Sequence, residues 1–171
     1  TFSDIHEEFS LSSVPFHGGF GLLNLYGIPK PSYRAFQLLG DCGCEKIPVV
    51  CSEGSTVEAL ATRKGEGVYI ILYNHNIPRA PIKNEEVNVV VNGMDCVSRV
   101  RYTRVDEDNG NAKKAWIGMG SPEYLDKTMV GELVKASELR EEDMNFRVNE
   151  DKQLQISINV PPHGIVAINI E

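Results

Sequence analysis

Six short stretches, residues 57–62, 67–74, 87–91, 98–105, 153–160 and 164–170, read as β-strands, all of them after residue 56. Along 153–160 the apolar residues fall at every second position, and 87–91 and 98–105 follow the same period with Val90 and Val105 out of phase. That spacing places them on one face of a strand and leaves the other face polar. Turn chemistry separates the stretches: Arg63-Lys-Gly-Glu-Gly67, Asn92-Gly93, Asp108-Asn-Gly110 and Pro161-Pro-His-Gly164. Asn-Gly and Gly-rich sequences supply the positive φ that tight reversals need. Only one stretch of this region, residues 127–136, is spaced as a helix. Strands at this density, without alternating helices, predict an antiparallel β-sandwich.

The first forty residues have a different texture. Thr1-Phe-Ser-Asp-Ile-His-Glu-Glu8 interleaves carboxylates with Phe2 and Ile5, which suits a strand whose end opens into a site rather than a surface tail. A Ser-, Pro- and Gly-rich segment follows, with Pro15-Phe-His-Gly-Gly-Phe-Gly-Leu22 at its centre. Its glycines permit positive φ and close backbone approach, so it reads as an irregular loop packed through Phe16 and Phe20. Residues 28–39 read as a helix. Pro31 sits in its first turn, Tyr33, Phe36, Leu38 and Leu39 form its apolar stripe, and Gly40 stops it. Strand, loop and helix in this order make one β/α unit. The expected division is therefore a β/α segment over residues 1–42 and a β-sandwich over residues 43–171.

Charge and cysteine usage limit the partners. The net charge of −7 argues against nucleic acid, which requires clustered Lys and Arg. No apolar run approaches the roughly 20 residues that span a bilayer as a helix, so no membrane partner is expected. The four cysteines, Cys42, Cys44, Cys51 and Cys96, are too few for a disulfide scaffold. Cys42-Gly-Cys44 also lacks the C-x2-C or C-x4-C spacing of zinc sites. Free thiols, no metal and no cofactor are the reading. With no leader at its start, the chain is expected in the cytoplasm.

The candidate chemistry centres on Glu7 and Glu8. A carboxylate pair is what glycoside hydrolysis needs, but the two groups must face one substrate about 5–9 Å apart. Adjacent strand residues point to opposite faces, whereas Asp4, His6 and Glu8 share one. One carboxylate of the pair is therefore expected to accept hydrogen bonds from substrate hydroxyls. Rim capping, or pairing with Lys or Arg, is the structural alternative. His17 reads as a loop-holding residue, His75 and His163 as turn residues, and Trp116 as core rather than a sugar platform. Asp106-Glu-Asp-Asn-Gly110 lacks the twelfth-position Glu of a calcium loop and reads as a solvated turn.

Taken together, Thr1-Phe-Ser-Asp-Ile-His-Glu-Glu8, Pro15-Phe-His-Gly-Gly-Phe-Gly-Leu22 and Gly27-Ile-Pro-Lys-Pro-Ser-Tyr-Arg-Ala-Phe36 resemble the C-terminal part of glycoside hydrolase family 39. Val105-Asp-Glu-Asp-Asn-Gly-Asn111, Trp116, Gly118-Met-Gly-Ser-Pro122 and Pro161-Pro-His-Gly164 are similar to the β-xylosidase branch of that family. The resemblance implies the last strand and helix of a (β/α)8 barrel, followed by a sandwich. It further implies a retaining parent enzyme acting on xylo-oligosaccharides, with both catalytic glutamates on earlier strands outside this chain. Glu8 would then touch the sugar, with Glu7 beside it as the second substrate-binding candidate. His6 stands where the family more often has Phe. The 171 residues would be inactive alone, the sandwich supporting the barrel or a homo-oligomer. A non-catalytic carbohydrate-binding sandwich is the alternative.

Overall fold

The computed structural model describes residues 2–4 and 14–171. The chain divides into two compact units, one made of Thr1–Gln37 with Val105–Arg140 and the other of Leu38–Arg104 with Glu141–Glu171.

The second unit contains the strands. β1 (Glu45–Ile47), β2 (Val57–Lys64) and β3 (Gly67–Asn74) come first, then β4 (Glu85–Val91) and β5 (Val100–Val105). After the excursion into the other unit come β6 (Glu141–Asp143), β7 (Arg147–Val148), β8 (Leu154–Val160) and β9 (Ile165–Ile170). They form a six-stranded sheet in the order β1-β2-β3-β9-β5-β6 and a three-stranded sheet in the order β4-β8-β7. The pairs β1–β2, β2–β3, β3–β9, β4–β8, β5–β6 and β7–β8 are antiparallel. The period-two alternation is expressed directly: along β8, Leu154, Ile156, Ile158 and Val160 are buried while the residues between them are exposed. These four join Val68, Ile70 and Leu72 of β3 and Val166, Ile168 and Ile170 of β9 in one apolar core. Each such side chain contributes about 1.5–3 kcal/mol on full burial. This is the antiparallel sandwich that the alternation predicts.

The six-stranded sheet buries residues on its other face as well. Tyr69 and Ile71 are both inaccessible, and the Tyr69 hydroxyl donates to the carbonyl of Leu38 at 3.2 Å. Burial pushes the Tyr69 phenol well above its ordinary pKa. The alternation along β3 puts Tyr69, Ile71 and Tyr73 on one face and suggests packing for all three; Tyr69 and Ile71 pack, whereas Tyr73 is half-buried and donates to Glu58.

The first unit is a loop and three helices. Phe2–Asp4 make a parallel bridge from Ser3 to Leu23, and Leu23 pairs in turn with Pro29. Helix α1 (Pro31–Gly40) starts three residues later than the sequence suggests, with Pro31 as its first residue, where a missing N–H costs nothing. Its stripe is only partly buried: Leu38 is inside, whereas Phe36 and Leu39 are exposed. Helix α2 (Ala112–Gly118) is not legible in the sequence, being seven residues long; its N-cap Asn111 accepts from the Lys113 amide. Helix α3 (Lys127–Ala136) coincides with the predicted span and is capped by Asp126, whose side chain accepts from the Thr128 and Met129 amides. Ile28, Ala112 and Leu133 form the buried centre, with Phe16, Trp116, Met119 and Leu125 packed around it. Arg34 ties α1 to the end of α3, its Nε donating to the Ser137 carbonyl at 2.6 Å and its Nη2 to Ser137 Oγ at 3.0 Å.

Candidate functional site

Glu7, Glu8 and His6 lie outside the described residues, so the site is built from what surrounds them in sequence. The period-two reading puts Asp4 on the face of His6 and Glu8. In the structure, however, Asp4 is not a group offered to substrate. Its side chain is fully buried, held by the glycine-rich loop and by Lys30. Asp4 Oδ1 accepts the Gly21 amide at 2.7 Å. The Lys30 ammonium stands 2.7 Å from Oδ1 and 2.5 Å from Oδ2, and it also donates to the Gly19 carbonyl at 2.8 Å. His17 Nε2 lies 3.9 Å from Oδ2, with its side chain almost wholly inaccessible. A buried carboxylate needs both a counter-charge and hydrogen bonds, and here Lys30 after the loop supplies the charge and Gly21 within it an amide.

The loop's glycines follow from that carboxylate. A Cβ on Gly21 would lie 2.3 Å from the Asp4 backbone nitrogen, and one on Gly19 would lie 2.4 Å from the His17 ring. Only residues without a Cβ let the loop close this tightly on Asp4. Backbone bonds finish the seam: Asp4 N donates to Leu23 O at 3.0 Å, Leu22 N to Phe2 O at 3.1 Å and Lys30 N to Leu22 O at 2.9 Å. The buried Asn24 side chain then shapes the reversal, accepting from the amides of Tyr26 and Ile28. Residues 2–4 are thereby fixed to the glycine-rich loop. Phe16 packs inward as predicted. Phe20 does not: it is 79% exposed, and Phe2 is 66% exposed.

The remaining candidates resolve as structure. The Trp116 indole donates to the Pro122 carbonyl at 2.9 Å and sits 5.4 Å from the Phe16 ring, inside the first unit's core. The Asp106 turn is closed by its own residues, Oδ1 accepting from the amides of Asp108 and Asn109. His163 adopts φ 56° in the Pro161–Gly164 reversal. His75 follows β3, stacks on Tyr73 at 5.5 Å and lies 3.4 Å from Glu58. Tyr73 also donates to Glu58 at 2.6 Å, and these two partners hold the Glu58 carboxyl below its usual range. Cys42-Gly-Cys44 has a backbone reason for its glycine, since a Cβ at Gly43 would lie 1.7 Å from the Arg63 carbonyl oxygen. The four thiols are free, and among the described residues no three His, Cys, Asp or Glu side chains converge as a metal site.

The described residues thus give a sheet-rich unit preceded by a glycine-rich loop bridged to Ser3 and by helix α1. Residues 1–153 match the sequence profile of glycosyl hydrolases family 39, and the chain belongs to that family. It is 42% identical, over its whole length, to a β-xylosidase of Caldicellulosiruptor saccharolyticus, of which it covers 35%. It is 32% identical over 137 residues to a β-xylosidase of Geobacillus stearothermophilus, covering 80% of this chain and 26% of that protein. The chain thus spans about a third or less of these curated relatives. Among solved structures, a family 39 β-xylosidase from Caulobacter crescentus superposes on all of the chain and 34% of its own length, with TM-score 0.71 and 29% identity. The family 39 enzyme of Xanthomonas axonopodis pv. citri has the same fold at TM-score 0.76 and 21% identity, over 100% of this chain and 36% of that one.

Proposed function

We propose that these residues are the C-terminal part of a retaining β-xylosidase that releases xylose from the non-reducing ends of β-1,4-linked xylo-oligosaccharides. The observation that carries this reading is the 42% identity to a β-xylosidase across the entire chain, acidic strand included. Retention needs two carboxyl groups about 5–5.5 Å apart, one a nucleophile and the other an acid/base. Glu7 and Glu8 are adjacent in sequence, and on the strand that the sequence suggests adjacent residues point to opposite faces, so the pair is not expected to supply both. The double displacement therefore runs on carboxylates from the rest of the barrel, and Glu8 holds sugar hydroxyls at the strand end, where barrel sites are built.

The Asp4–Lys30–Gly21 seam supports a positional role for this segment. It ties Asp4, four residues before Glu8 in sequence, to the glycine-rich loop. The sandwich buttresses the barrel and performs no chemistry.

Kinetics of the full-length enzyme on an aryl β-xyloside and on xylobiose test the reading. Glu8→Ala should lower kcat/KM by roughly 10–100-fold, the worth of one or two hydrogen bonds to a charged group, and Glu7→Ala by much less. The first sugar product should keep the β configuration. Unchanged kinetics for Glu8→Ala would remove that residue from the site, and turnover by the 171-residue chain alone would overturn the proposal as a whole.

A further inference from the structure

The chain contains two Asn-Gly dipeptides, Asn92-Gly93 and Asn109-Gly110. Both glycines have positive φ, 74° and 61°. Glycine has no Cβ to shield its backbone nitrogen, so by sequence both nitrogens are equally open to attack the asparagine side chain before them. Their surroundings differ. Asn109 is held by Asp106: its side-chain nitrogen stands 2.8 Å from Oδ1 and 3.1 Å from Oδ2, and its backbone amide donates to Oδ1 at 2.9 Å. The Asn109 carbonyl in turn accepts from the Asp106 amide at 3.0 Å, and Gly110 is buried. Asn92 directly follows β4 and opens an irregular run over residues 92–99, with both Asn92 and Gly93 exposed. Among the described residues its side chain makes one hydrogen bond, accepting from the Gln153 side-chain amide at 3.0 Å. The Gly93 amide donates to no backbone group among them.

We propose that Asn92 is a site of spontaneous covalent modification, converted to aspartate and isoaspartate through a cyclic imide, and that Asp106 holds Asn109 back from the same reaction. The Gly93 nitrogen attacks Asn92 Cγ and gives up its proton. The bond from Cγ to the side-chain nitrogen breaks, and ammonia leaves with that proton. Water then opens the imide at either carbonyl, giving aspartate or isoaspartate; nothing is oxidised or reduced, and water is the only co-reactant. At Asn109 the side chain must first leave the Asp106 carboxylate before its Cγ can turn to the Gly110 nitrogen. Burial of Gly110 keeps water and base from its N–H, and the charge of Asp106 opposes the anion that forms as that nitrogen loses its proton. At Asn92 only an exposed bond to Gln153 has to give way. The product adds a carboxylate at the end of β4. Its isoaspartyl form also lengthens the main chain just before Met94, whose amide bonds to the Lys152 carbonyl. This chemistry is independent of the xylosidase reading, and its test reads no activity.

Peptide mass spectrometry on the full-length protein, aged in mildly alkaline buffer, decides it. Trypsin cuts after Lys83, Arg99, Arg104 and Lys113, so the two dipeptides fall in separate fragments, residues 84–99 and 105–113. Amide loss at Asn92 should outpace that at Asn109 by at least ~10-fold, the worth of one hydrogen bond to a charged group. In urea, where the turns are gone, the two rates should converge. Equal rates in the folded protein would overturn the proposal, as would a faster Asn109. The Asn92 product should be a mixture of aspartate and isoaspartate; aspartate alone would mean direct hydrolysis and would exclude the imide. Asp106→Ala should raise the Asn109 rate towards that of Asn92, and an unchanged Asn109 in the folded variant contradicts shielding by Asp106. The wild-type comparison stands by itself where that variant does not fold.

Discussion

The Lys30 ammonium sits within 2.7 Å of both carboxylate oxygens of Asp4, and the Asp4 side chain is wholly inaccessible. This pair, 26 residues apart in sequence, joins residues 2–4 to the start of α1 across the glycine-rich loop. Removing one member of a buried pair leaves an uncompensated charge and typically costs about 3–5 kcal/mol, whereas replacing both with apolar groups costs far less. Lys30→Met should therefore destabilise the protein by about that amount in urea unfolding. The Asp4→Leu/Lys30→Met double variant should recover much of the loss. Additive losses from the two single changes would show that the residues do not act as a pair.

The same seam sets a contrast between two glycines. Gly21→Ala drives a Cβ into the Asp4 backbone, whereas a Cβ at Gly40, the last residue of α1, meets nothing within 4 Å. Gly40→Ala should stabilise the protein by up to about 0.5–1 kcal/mol, the conformational freedom that alanine lacks. Gly21→Ala should be destabilising by more than that. Thermal melts of the two variants side by side test the sign, and equal behaviour would mean the loop can relax away from Asp4.

The sandwich was legible in the sequence because a strand with one buried face must alternate, and β8 alternates without exception. Helix α3 was legible for a similar reason, having Asp126 as a cap and enough turns to show its period. Other features depend on partners distant in sequence. Nothing local marks Asp4 as buried, since its rescue by Lys30 and Gly21 is a tertiary event; the one available signal is the glycine spacing around His17. Phe20 and Phe36 are as apolar as Phe16, yet burial depends on what packs against them. The excursion from Val105 to Arg140 leaves the sheets through a seven-residue helix too short to show periodicity. Glu7 and Glu8, the sequence's main candidates, fall outside the described residues.

Trp116 offers an optical test, because it is the chain's single tryptophan. It packs in the first unit with Phe16 and hydrogen-bonds to Pro122. Its fluorescence should report that unit, while far-ultraviolet circular dichroism is weighted towards the sheets. Trp116→Phe keeps most of the packing and gives up one hydrogen bond, worth about 1 kcal/mol. Trp116→Ala should cost about 3 kcal/mol, the lower end for a large aromatic, since the side chain is only half-buried. Neither change should alter binding of xylo-oligosaccharides by calorimetry; lost binding with stability intact would instead make Trp116 a sugar platform.

Acid should weaken the sandwich through three carboxylates whose partners are all in the second unit. Glu85 accepts from the Ser55 hydroxyl, the Thr56 amide and the Thr56 hydroxyl, and these bonds hold its carboxyl below the ordinary value of 4.5. Tyr73 and His75 lower Glu58 in the same way, and Arg99 lowers Asp143 from 3.8. A folded pKa depressed below the unfolded one means that the unfolded chain binds the proton more readily. The stabilisation is then complete above about pH 5 and drains away as the pH falls through 4.5 and below. Urea midpoints measured between pH 7 and pH 3 should therefore be flat at the upper end and fall in that window. Glu85→Gln should lower the midpoint at pH 7 and reduce the slope below pH 5, because the group that takes up the proton is gone. A variant with the wild-type slope would mean that the Ser55 and Thr56 bonds to Glu85 contribute nothing to the folded state's preference for the carboxylate.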